Sequence, residues 1–220
     1  MPKPKKSASL EPQQERSRES LRKLLKAATE VLGQHGVEGT TIPRIAAHAG
    51  LTPGAVYRRF RDKDALLEAA ILGILERQDE RLKTGLTPVK AAKIPIEVFI
   101  EQIVGGMVVT YRANAALLRA FRHFTMGRLD TEFIRKAAKL EIRSFERVVD
   151  LLMANRKDIG HPNPRMAVSL GLVMVVSTLY EVVVLPTRGA DWKDLVPKDD
   201  ATLKRELTRA FLSYLEVESR

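Results

Sequence analysis

The sequence contains no cysteine and few aromatic residues. With no thiol among its 220 residues, it cannot form a disulfide framework or a metal site with thiolate ligands. This composition fits a reducing compartment such as the cytoplasm. Only 5% of the residues are Phe, Trp or Tyr, and no long stretch alternates apolar with polar residues. Because strands are rich in aromatic side chains and alternate with a period of two, the sequence argues against an all-β fold.

The sequence also lacks the short motifs that carry catalysis. No histidine has the spacing of a metal site, and neither a G-x-S-x-G turn nor a phosphate-binding P-loop occurs. The histidines are His35, His48, His123 and His161. We therefore expect no catalytic residue, no metal and no cofactor, and we predict that the protein is not an enzyme.

Two segments have some features of membrane-directed sequences. Residues Met1–Lys6 are basic, but no apolar stretch follows them, so they do not form a signal peptide. The run Ala167–Leu185 has the length of a membrane span, yet Glu181 would place a charge within the lipid, which is costly. We predict instead a helix packed between protein neighbours, and no membrane partner. Binding to a membrane surface is the least favoured alternative.

The positive charge is concentrated near the N-terminus. The whole chain has a net charge of +10, and residues 1–60 contain eleven Lys or Arg against five Asp or Glu. An excess of this kind in a short segment favours a polyanionic partner, either a nucleic acid or an acidic membrane face.

Apolar residues recur with helical spacing along most of the chain, which predicts an all-α fold of about nine helices. Gly and Pro residues separate the periodic stretches. The predicted helices are at about 21–32, 41–49, 52–60, 63–83, 95–112, 114–126, 130–155, 164–187 and 199–217.

Residues 41–60 have the pattern of a helix-turn-helix. Thr41 and Thr52 each precede a short helix as N-caps, and Pro43 and Pro53 lie in the first turns, where a missing N–H costs nothing. Gly50 lies in the connection, where a tight turn requires a residue that tolerates positive φ. In such a motif the N-terminal part of the second helix contacts DNA base edges.

The second of these helices is predicted to expose a polar and cationic face. This face comprises Thr52, Pro53, Gly54, Ala55, Tyr57, Arg58 and Arg59. Lys63 lies in the first turn of the next helix, where the helix dipole disfavours a cation. A bound phosphate would resolve this conflict, and a flexible lysine bent into solvent is the alternative. We expect the Tyr57 ring to be half-buried, with its hydroxyl on a phosphate.

The segment GTTIPRIAAHAGLTPGAVYRRFRDKDALLEAAI (Gly39–Ile71) is similar to the DNA-binding region of the TetR family. The resemblance extends over Leu24–Leu67, about a quarter of the chain. It is carried by Gly36, Thr40-Thr41, Ile45-Ala46, Ala49-Gly50, Gly54, Val56-Tyr57, Phe60, Lys63 and Leu66.

The resemblance implies a repressor that binds a palindromic double-stranded operator as a homodimer and is released by a small-molecule effector. A helical protein that binds DNA without an effector is the alternative. The implied domains are a disordered basic arm (1–15), a helix-turn-helix domain (16–62) and a helical effector-binding and dimerisation domain (63–220).

The resemblance also implies roles for individual residues. Thr41, Thr52, Tyr57, Arg59 and Lys63 match positions that contact phosphate, and Gly54 lets the backbone approach DNA. Arg58 is the candidate for a guanine contact.

Two positions depart from the family pattern. Pro53 stands where a lysine is common, which removes one phosphate contact, while Arg44 replaces an acidic residue and adds a candidate backbone contact. The basic arm with Lys3, Lys5 and Lys6 either enters a minor groove or is a solubilising tail.

The body is predicted to supply the dimer surface and the effector pocket. Helices 164–187 and 199–217 are predicted to form the dimer surface, with Gly171 permitting close helix approach; ordinary packing within one protomer is the alternative. We expect Glu181 to be buried and paired with Arg119 or Arg122, because a buried carboxylate needs a partner. The candidate pocket residues are Met107, Tyr111, His123, Phe124, Tyr180 and Glu181.

Overall fold

The computed structural model describes residues 10–185 and 196–218, and every regular element in these ranges is helical. The all-α prediction is therefore confirmed. The described part contains ten α-helices, which are α1 (Leu10–Gly39), α2 (Ile42–His48), α3 (Pro53–Tyr57), α4 (Lys63–Thr84), α5 (Pro88–Ala91), α6 (Ile96–Ala113), α7 (Ala115–Thr125), α8 (Glu132–Met153), α9 (Pro164–Leu179) and α10 (Asp200–Tyr214).

The extra helix, compared with the nine predicted, is α5. Thr87 is its N-cap and accepts a hydrogen bond from the Lys90 N–H, and Pro88 occupies the first turn. The sequence pattern of residues 84–88 indicated only a break, because a helix of four residues is too short to show a hydrophobic period.

Helix α1 begins eleven residues earlier than predicted. Residues 10–15, expected to belong to an irregular arm, are helical, since Gln14, Glu15 and Arg16 all have good helix propensity. The helix bends at Gly36, whose φ of +66° lies outside the helical region. The rest of the predicted arm, with Lys3, Lys5 and Lys6, lies outside the described residues.

The chain separates into two compact units, Met1–Ile74 and Leu75–Arg220. The division falls within α4, whereas the sequence placed all of this helix with the body. The predicted boundary at residue 63 stays a prediction.

The first unit is built around α1 to α3 and the beginning of α4. Each helix contributes apolar side chains that are almost completely buried, as the 3.6-residue spacing predicts. They include Leu24, Val31, Leu32, Ile42, Ile45, Ala46, Val56, Leu66 and Leu67.

The core of the second unit is formed by α6, α8, α9 and α10. Helix α9 lies so close to α10 that a Cβ atom on Gly171 would stand 2.1 Å from Cε2 of Phe211. Gly171 thus permits close packing within one protomer. The predicted close helix approach at Gly171 is confirmed, and it joins α9 to α10 of the same protomer, which was the alternative to a contact between protomers.

A π-helical turn, Tyr180–Val184, continues α9. The segment Pro164–Val184 is long and apolar enough to cross a membrane by length and composition alone, and 44% of it is buried inside the protein. A helix in the interior of a globular domain has the same composition.

Candidate nucleic-acid interface

Helices α2 and α3 are each fixed at their first turn by a threonine. The Oγ1 atom of Thr41 accepts a hydrogen bond from the Arg44 N–H over 3.3 Å. The Oγ1 atom of Thr52 accepts one from the Ala55 N–H over the same distance. Both predicted N-caps are confirmed, and each satisfies a backbone donor that would otherwise have no helical partner.

The turn between α2 and α3 is closed by a Schellman motif. The Gly50 N–H donates to Ala47 O over 3.1 Å, and the Leu51 N–H donates to Ala46 O over 2.8 Å. Gly50 has a φ of +67°, which glycine adopts without strain. The expectation of a positive φ at this residue is confirmed.

The two helices bury one face and leave the other in solvent. Ile45 and Val56 are fully buried, which orients α3 on the rest of the unit. The opposite face of α3 is accessible: the Tyr57 side chain is 56% exposed, more than the half-buried ring expected. The other accessible residues on this surface are Thr41, Arg44, Thr52, Pro53, Gly54, Arg58 and Arg59, and Ala55 is partly exposed.

Arg58 and Arg59 are adjacent but differ in their contacts. Within the described residues the Arg58 guanidinium makes no hydrogen bond or ion pair, so its five N–H donors face solvent. The Nη2 atom of Arg59 donates to the backbone O and to the Oγ of Ser17, at 3.2 and 3.1 Å. Arg59 therefore holds α3 against α1.

Lys63 is held by a backbone carbonyl. Its Nζ donates to Val37 O over 3.1 Å, immediately after the bend in α1. The sequence offered this cation a phosphate or a position bent into solvent; the structure supplies an intramolecular acceptor that offsets its position at a helix N-terminus. Two of the three ammonium donors remain for a ligand.

Arg44 and Asp62 also have intramolecular roles. Arg44 Nη1 donates to the carbonyl oxygen of Gly39, which ties α2 to the end of α1. The Oδ1 atom of Asp62 accepts from the Ala65 N–H over 2.7 Å and so caps α4, while Oδ2 pairs with Arg61 at 3.0 Å.

One contact that positions α2 was absent from the sequence-based site. His48 Nε2 lies 2.9 Å from Glu30 Oε2, and Lys26 pairs with the other oxygen of that carboxylate at 3.5 Å. The hydrogen bond from His48 lowers the pKa of Glu30. His48 and Glu30 are eighteen residues apart, so no local pattern links them.

In the second unit, two of the residues predicted for an effector pocket meet directly. The rings of Tyr111 in α6 and Tyr180 in the π-helical turn are 5.4 Å apart and perpendicular. Burial raises the pKa of both hydroxyls, and the nearby carboxylate of Glu141 in α8 raises them further. Glu141 was not selected from the sequence because no local pattern in residues 130–155 links it to Tyr111 or Tyr180.

The other predicted pocket residues have different surroundings. Phe124 is fully buried, with its ring 6.0 Å from that of Phe133 and under the guanidinium of Arg128 at 4.1 Å. Met107 packs against the body core, and His123 is exposed.

Glu181 is exposed, so the expected buried carboxylate is wrong. Arg119, one of its two expected partners, donates from Nε to Val184 O over 2.9 Å. The π-helical turn sets the direction in which Glu181 points, and the sequence did not predict that turn.

The two helices of the predicted dimer surface differ in how exposed their apolar side chains are. On α10, Leu203, Phe211 and Leu215 are buried in the core of their own protomer, so these residues are not available to a partner. On α9, four large apolar side chains on one face are between 41 and 46% exposed. They are Met166, Leu170, Val173 and Met174.

Comparison with known proteins places the helix-turn-helix in a family. Residues 24–70 match the sequence profile of the bacterial regulatory proteins of the tetR family. This range contains α2, α3 and the beginning of α4. It includes all the residues of the helix-turn-helix and of α4 that were predicted above to contact DNA, but not the basic arm.

Relatives extend the similarity beyond this region. The chain is 23% identical over 192 residues to the HTH-type transcriptional regulator BetI of Escherichia coli K12, covering 87% of this chain and 91% of the relative. It is 26% identical over 160 residues to BetI of Cronobacter sakazakii, covering 72% and 76% of the two chains.

Solved structures share the fold along nearly the whole chain. A TetR-family regulator from Mesorhizobium loti superposes with a TM-score of 0.66 at 20% identity, covering 90% of this chain and 97% of the other. The fatty acid degradation regulator FadR of Bacillus halodurans superposes with a TM-score of 0.63, also at 20% identity and with the same coverage. Residues 24–70, which contain the capped helix pair, are therefore a DNA-binding region of the tetR type, and the chain as a whole is similar to TetR-type transcriptional regulators.

Proposed function

We propose that the protein is a homodimeric repressor that binds a palindromic operator through α3 and leaves it when a small molecule binds the body. The observation that carries this proposal is the solvent-facing side of α3, where the Arg58 guanidinium has no intramolecular partner among the described residues and Gly54 leaves the backbone uncovered. A helix that binds in the major groove packs one apolar face on the protein and leaves a cationic face accessible to DNA. Helix α3 has both faces.

In this proposal, direct base recognition comes from the exposed end of α3. Arg58 donates two hydrogen bonds to a guanine, a contact that discriminates against other bases by about 1–3 kcal/mol. Pro53, Gly54 and Ala55 form the first turn of α3, whose small side chains let the helix enter the groove.

The surrounding residues contact the phosphate backbone. Thr41 and Thr52 are at helix N-termini, where backbone N–H groups point outward, and such sites favour anions. Tyr57 contributes its exposed hydroxyl. Arg44, Arg59 and Lys63 contribute cations, and the last of these uses the donors that Val37 leaves free.

The proposed dimer forms through the exposed apolar face of α9, with the outer side of α10 beside it. An exposed row of Met166, Leu170, Val173 and Met174 is unusual on a protein that remains monomeric. Two-fold pairing of this face would bury all four side chains and hold two copies of α3 at the spacing of successive major grooves.

The effector is proposed to bind near the Tyr111–Tyr180 pair, where half-buried rings and a polar rim come together. Met107, His123, Phe124 and Glu181 stay candidates for the remainder of the pocket. A structural neighbour, FadR of Bacillus subtilis, was solved with stearoyl-CoA, and another, NalD, is a repressor of a multidrug efflux pump. We infer that this chain also responds to a small organic molecule, and that it acts in the cytoplasm, where the operator is found.

Binding of the effector would shift the population toward dimers whose α4 helices are displaced, which changes the distance between the two α3 helices. A coupling free energy of about 1–3 kcal/mol would change DNA affinity by about 5- to 150-fold.

The decisive experiment is the selection of bound duplexes from a random DNA pool by the purified protein. The proposal predicts one palindromic consensus and a complex that dissociates when the cognate small molecule is supplied from a metabolite collection. A consensus with no response to any compound would favour the alternative, an effector-independent DNA-binding protein. Absence of any selected sequence at low salt would contradict both.

A further inference from the structure

The C-terminal part of α4 is attached to the second unit in an unusual way. Asp79 is the only buried residue among the described residues 75–84, with 8% exposure, and most of its neighbours are exposed. A helix normally attaches to a protein core through an apolar stripe. Here a carboxylate takes the buried position.

Two arginines of α8 hold this carboxylate. Arg147 Nε lies 2.8 Å from Asp79 Oδ1, and Arg143 Nη2 lies 3.4 Å from Oδ2, so each oxygen has its own cation. Arg143 and Arg147 are one helical turn apart on the same face of α8. The hydrogen bond from Arg147 lowers the pKa of Asp79, which keeps the carboxylate ionised at neutral pH.

Ion pairs of this kind fix geometry more than they add stability. The cost of removing two charges from water offsets most of their attraction, whereas the loss of one partner leaves the other uncompensated. Apolar contacts tolerate sliding, but a carboxylate between two guanidinium groups has a restricted position. The Asp79 cluster (Asp79, Arg143 and Arg147) therefore sets where this part of α4 lies on α8.

Helix α8 also connects the cluster to the candidate effector site. Helix α8 packs against α6, which carries Tyr111 of that site, and Glu141, two residues before Arg143, lies on the opposite side of α8 from the arginines. A rotation or shift of α8 would consequently move both Glu141 and the two arginines. Helix α4 itself continues without interruption from Thr84 back to Lys63, at the DNA-binding surface.

We propose that the Asp79 cluster is the positioning link through which the body sets α4, and with it the spacing of the two recognition helices, and that an effector acts by moving the α8 side of this link. This inference rests on the proposed function, because it assumes a dimer that binds an operator.

The test compares Asp79→Asn, which keeps the shape and removes the charge, with Asp150→Asn. Asp150 Oδ1 pairs with Arg165 Nη1 at 2.7 Å and joins α8 to α9, so it is a more exposed ion pair of the same helix that holds α9 instead of α4. Two quantities are measured: operator affinity, and the distance between nitroxide labels in the dimer by double electron–electron resonance. Because the chain has no cysteine, a single Gln34→Cys change in exposed α1 provides one label per protomer.

We expect Asp79→Asn to change operator affinity by at least about 5-fold, within the range of allosteric coupling, and to shift or broaden the inter-label distance. Asp150→Asn should leave both quantities as in the unsubstituted protein. Arg147→Met should resemble Asp79→Asn, and the double variant should be no worse than the single ones, because all of them break the same link.

Arg147→Lys keeps the positive charge but removes the planar guanidinium that holds the carboxylate in a fixed position. This variant provides a second test if Asp79→Asn does not fold. We expect it to have an intermediate effect on operator affinity and on the inter-label distance. The proposal is overturned if the folded variants of Asp79 and Arg147 bind the operator and space their labels as the unsubstituted protein does. In that case operator binding by the unsubstituted protein still supports the proposed function. If that protein binds no operator or gives no inter-label distance, the proposed function fails first.

Discussion

Arg58 and Lys63 are both cations beside the same proposed DNA surface, but the protein uses them differently. Arg58 extends into solvent without an intramolecular acceptor among the described residues, whereas Lys63 donates to the Val37 carbonyl. A planar guanidinium with all its donors available suits bidentate recognition of a base. The ammonium group of Lys63 is already oriented by a carbonyl oxygen, so it is suited to binding a phosphate whose position is fixed.

Replacement of Arg58 by alanine should relax sequence preference at one operator base pair. The expected loss of discrimination is about 1–3 kcal/mol at that position, because the bidentate contact to guanine disappears. Competition between the selected operator and its single-base variants measures this. The matched control is Arg61→Ala, which removes the same charge from a residue paired with Asp62. Equal losses on every sequence would show that Arg58 contacts only the backbone.

Replacement of Lys63 by alanine should weaken binding to all sequences alike. One fewer phosphate contact should lower the slope of log affinity against log salt concentration by about one. Lys26→Ala, an exposed lysine of the first unit paired with Glu30, removes the same charge elsewhere and should leave the slope unchanged. An unaltered slope for Lys63→Ala would mean that this lysine only closes the end of α1.

At the scale of the element, the helix-turn-helix depends on two glycines for different reasons. Gly50 has positive φ and Gly54 does not, although an added Cβ would meet no atom within 4 Å at either position. A substitution at Gly50 therefore tests backbone strain, whereas a substitution at Gly54 tests how closely the helix approaches DNA.

Gly50→Ala should destabilise the protein by about 1–2 kcal/mol, since an alanine in the left-handed region is strained, and should lower the melting temperature. Gly54→Ala should leave the melting temperature equal or higher, because alanine favours helix, yet it should weaken operator binding. Calorimetry and a DNA-binding titration on both variants test the pair. Full operator affinity in Gly54→Ala would contradict a close approach of α3 to DNA.

Local chemistry explains which elements could be predicted. The threonine caps, the prolines in the first turns and Gly50 act within four residues of themselves, so the starts of α2 and α3 follow from their immediate sequence, whereas α3 ends at Tyr57, before the predicted residue 60. Helix α5 and the π-helical turn after α9 were missed. Both are about one turn long and have no period of their own.

At the scale of the whole molecule, the exposed face of α9 is the feature that a single protomer does not explain. Its buried face, including Gly171 and Leu172, already packs inside the body, so Met166, Leu170, Val173 and Met174 need another partner. Pairing of two copies would supply one.

Val173→Glu should produce a monomer with native helix content, because the side chain is 46% exposed and contributes little to the core of its own protomer. Operator affinity should fall by about 100-fold or more as the two half-sites are no longer bound together. Sedimentation equilibrium and operator titration measure the two effects. Val109→Glu, at a 68% exposed position on α6, is the control and should remain a dimer. A Val173→Glu variant that stays dimeric would place the interface elsewhere.

The sequence alone determined the class of fold, the capped helix pair with its glycine turn, and the face of α3 that carries Arg58, because each depends on residues within one or two turns of one another. Only the tertiary structure decided where long side chains end. Lys63 reaches Val37, Arg59 reaches Ser17, and Asp79 is held by Arg143 and Arg147 of a distant helix. These contacts join residues between 26 and 68 positions apart. These contacts form only when the helices pack together. The hydrophobic period of a helix predicts which of its faces is buried, but it does not predict which helix packs against that face.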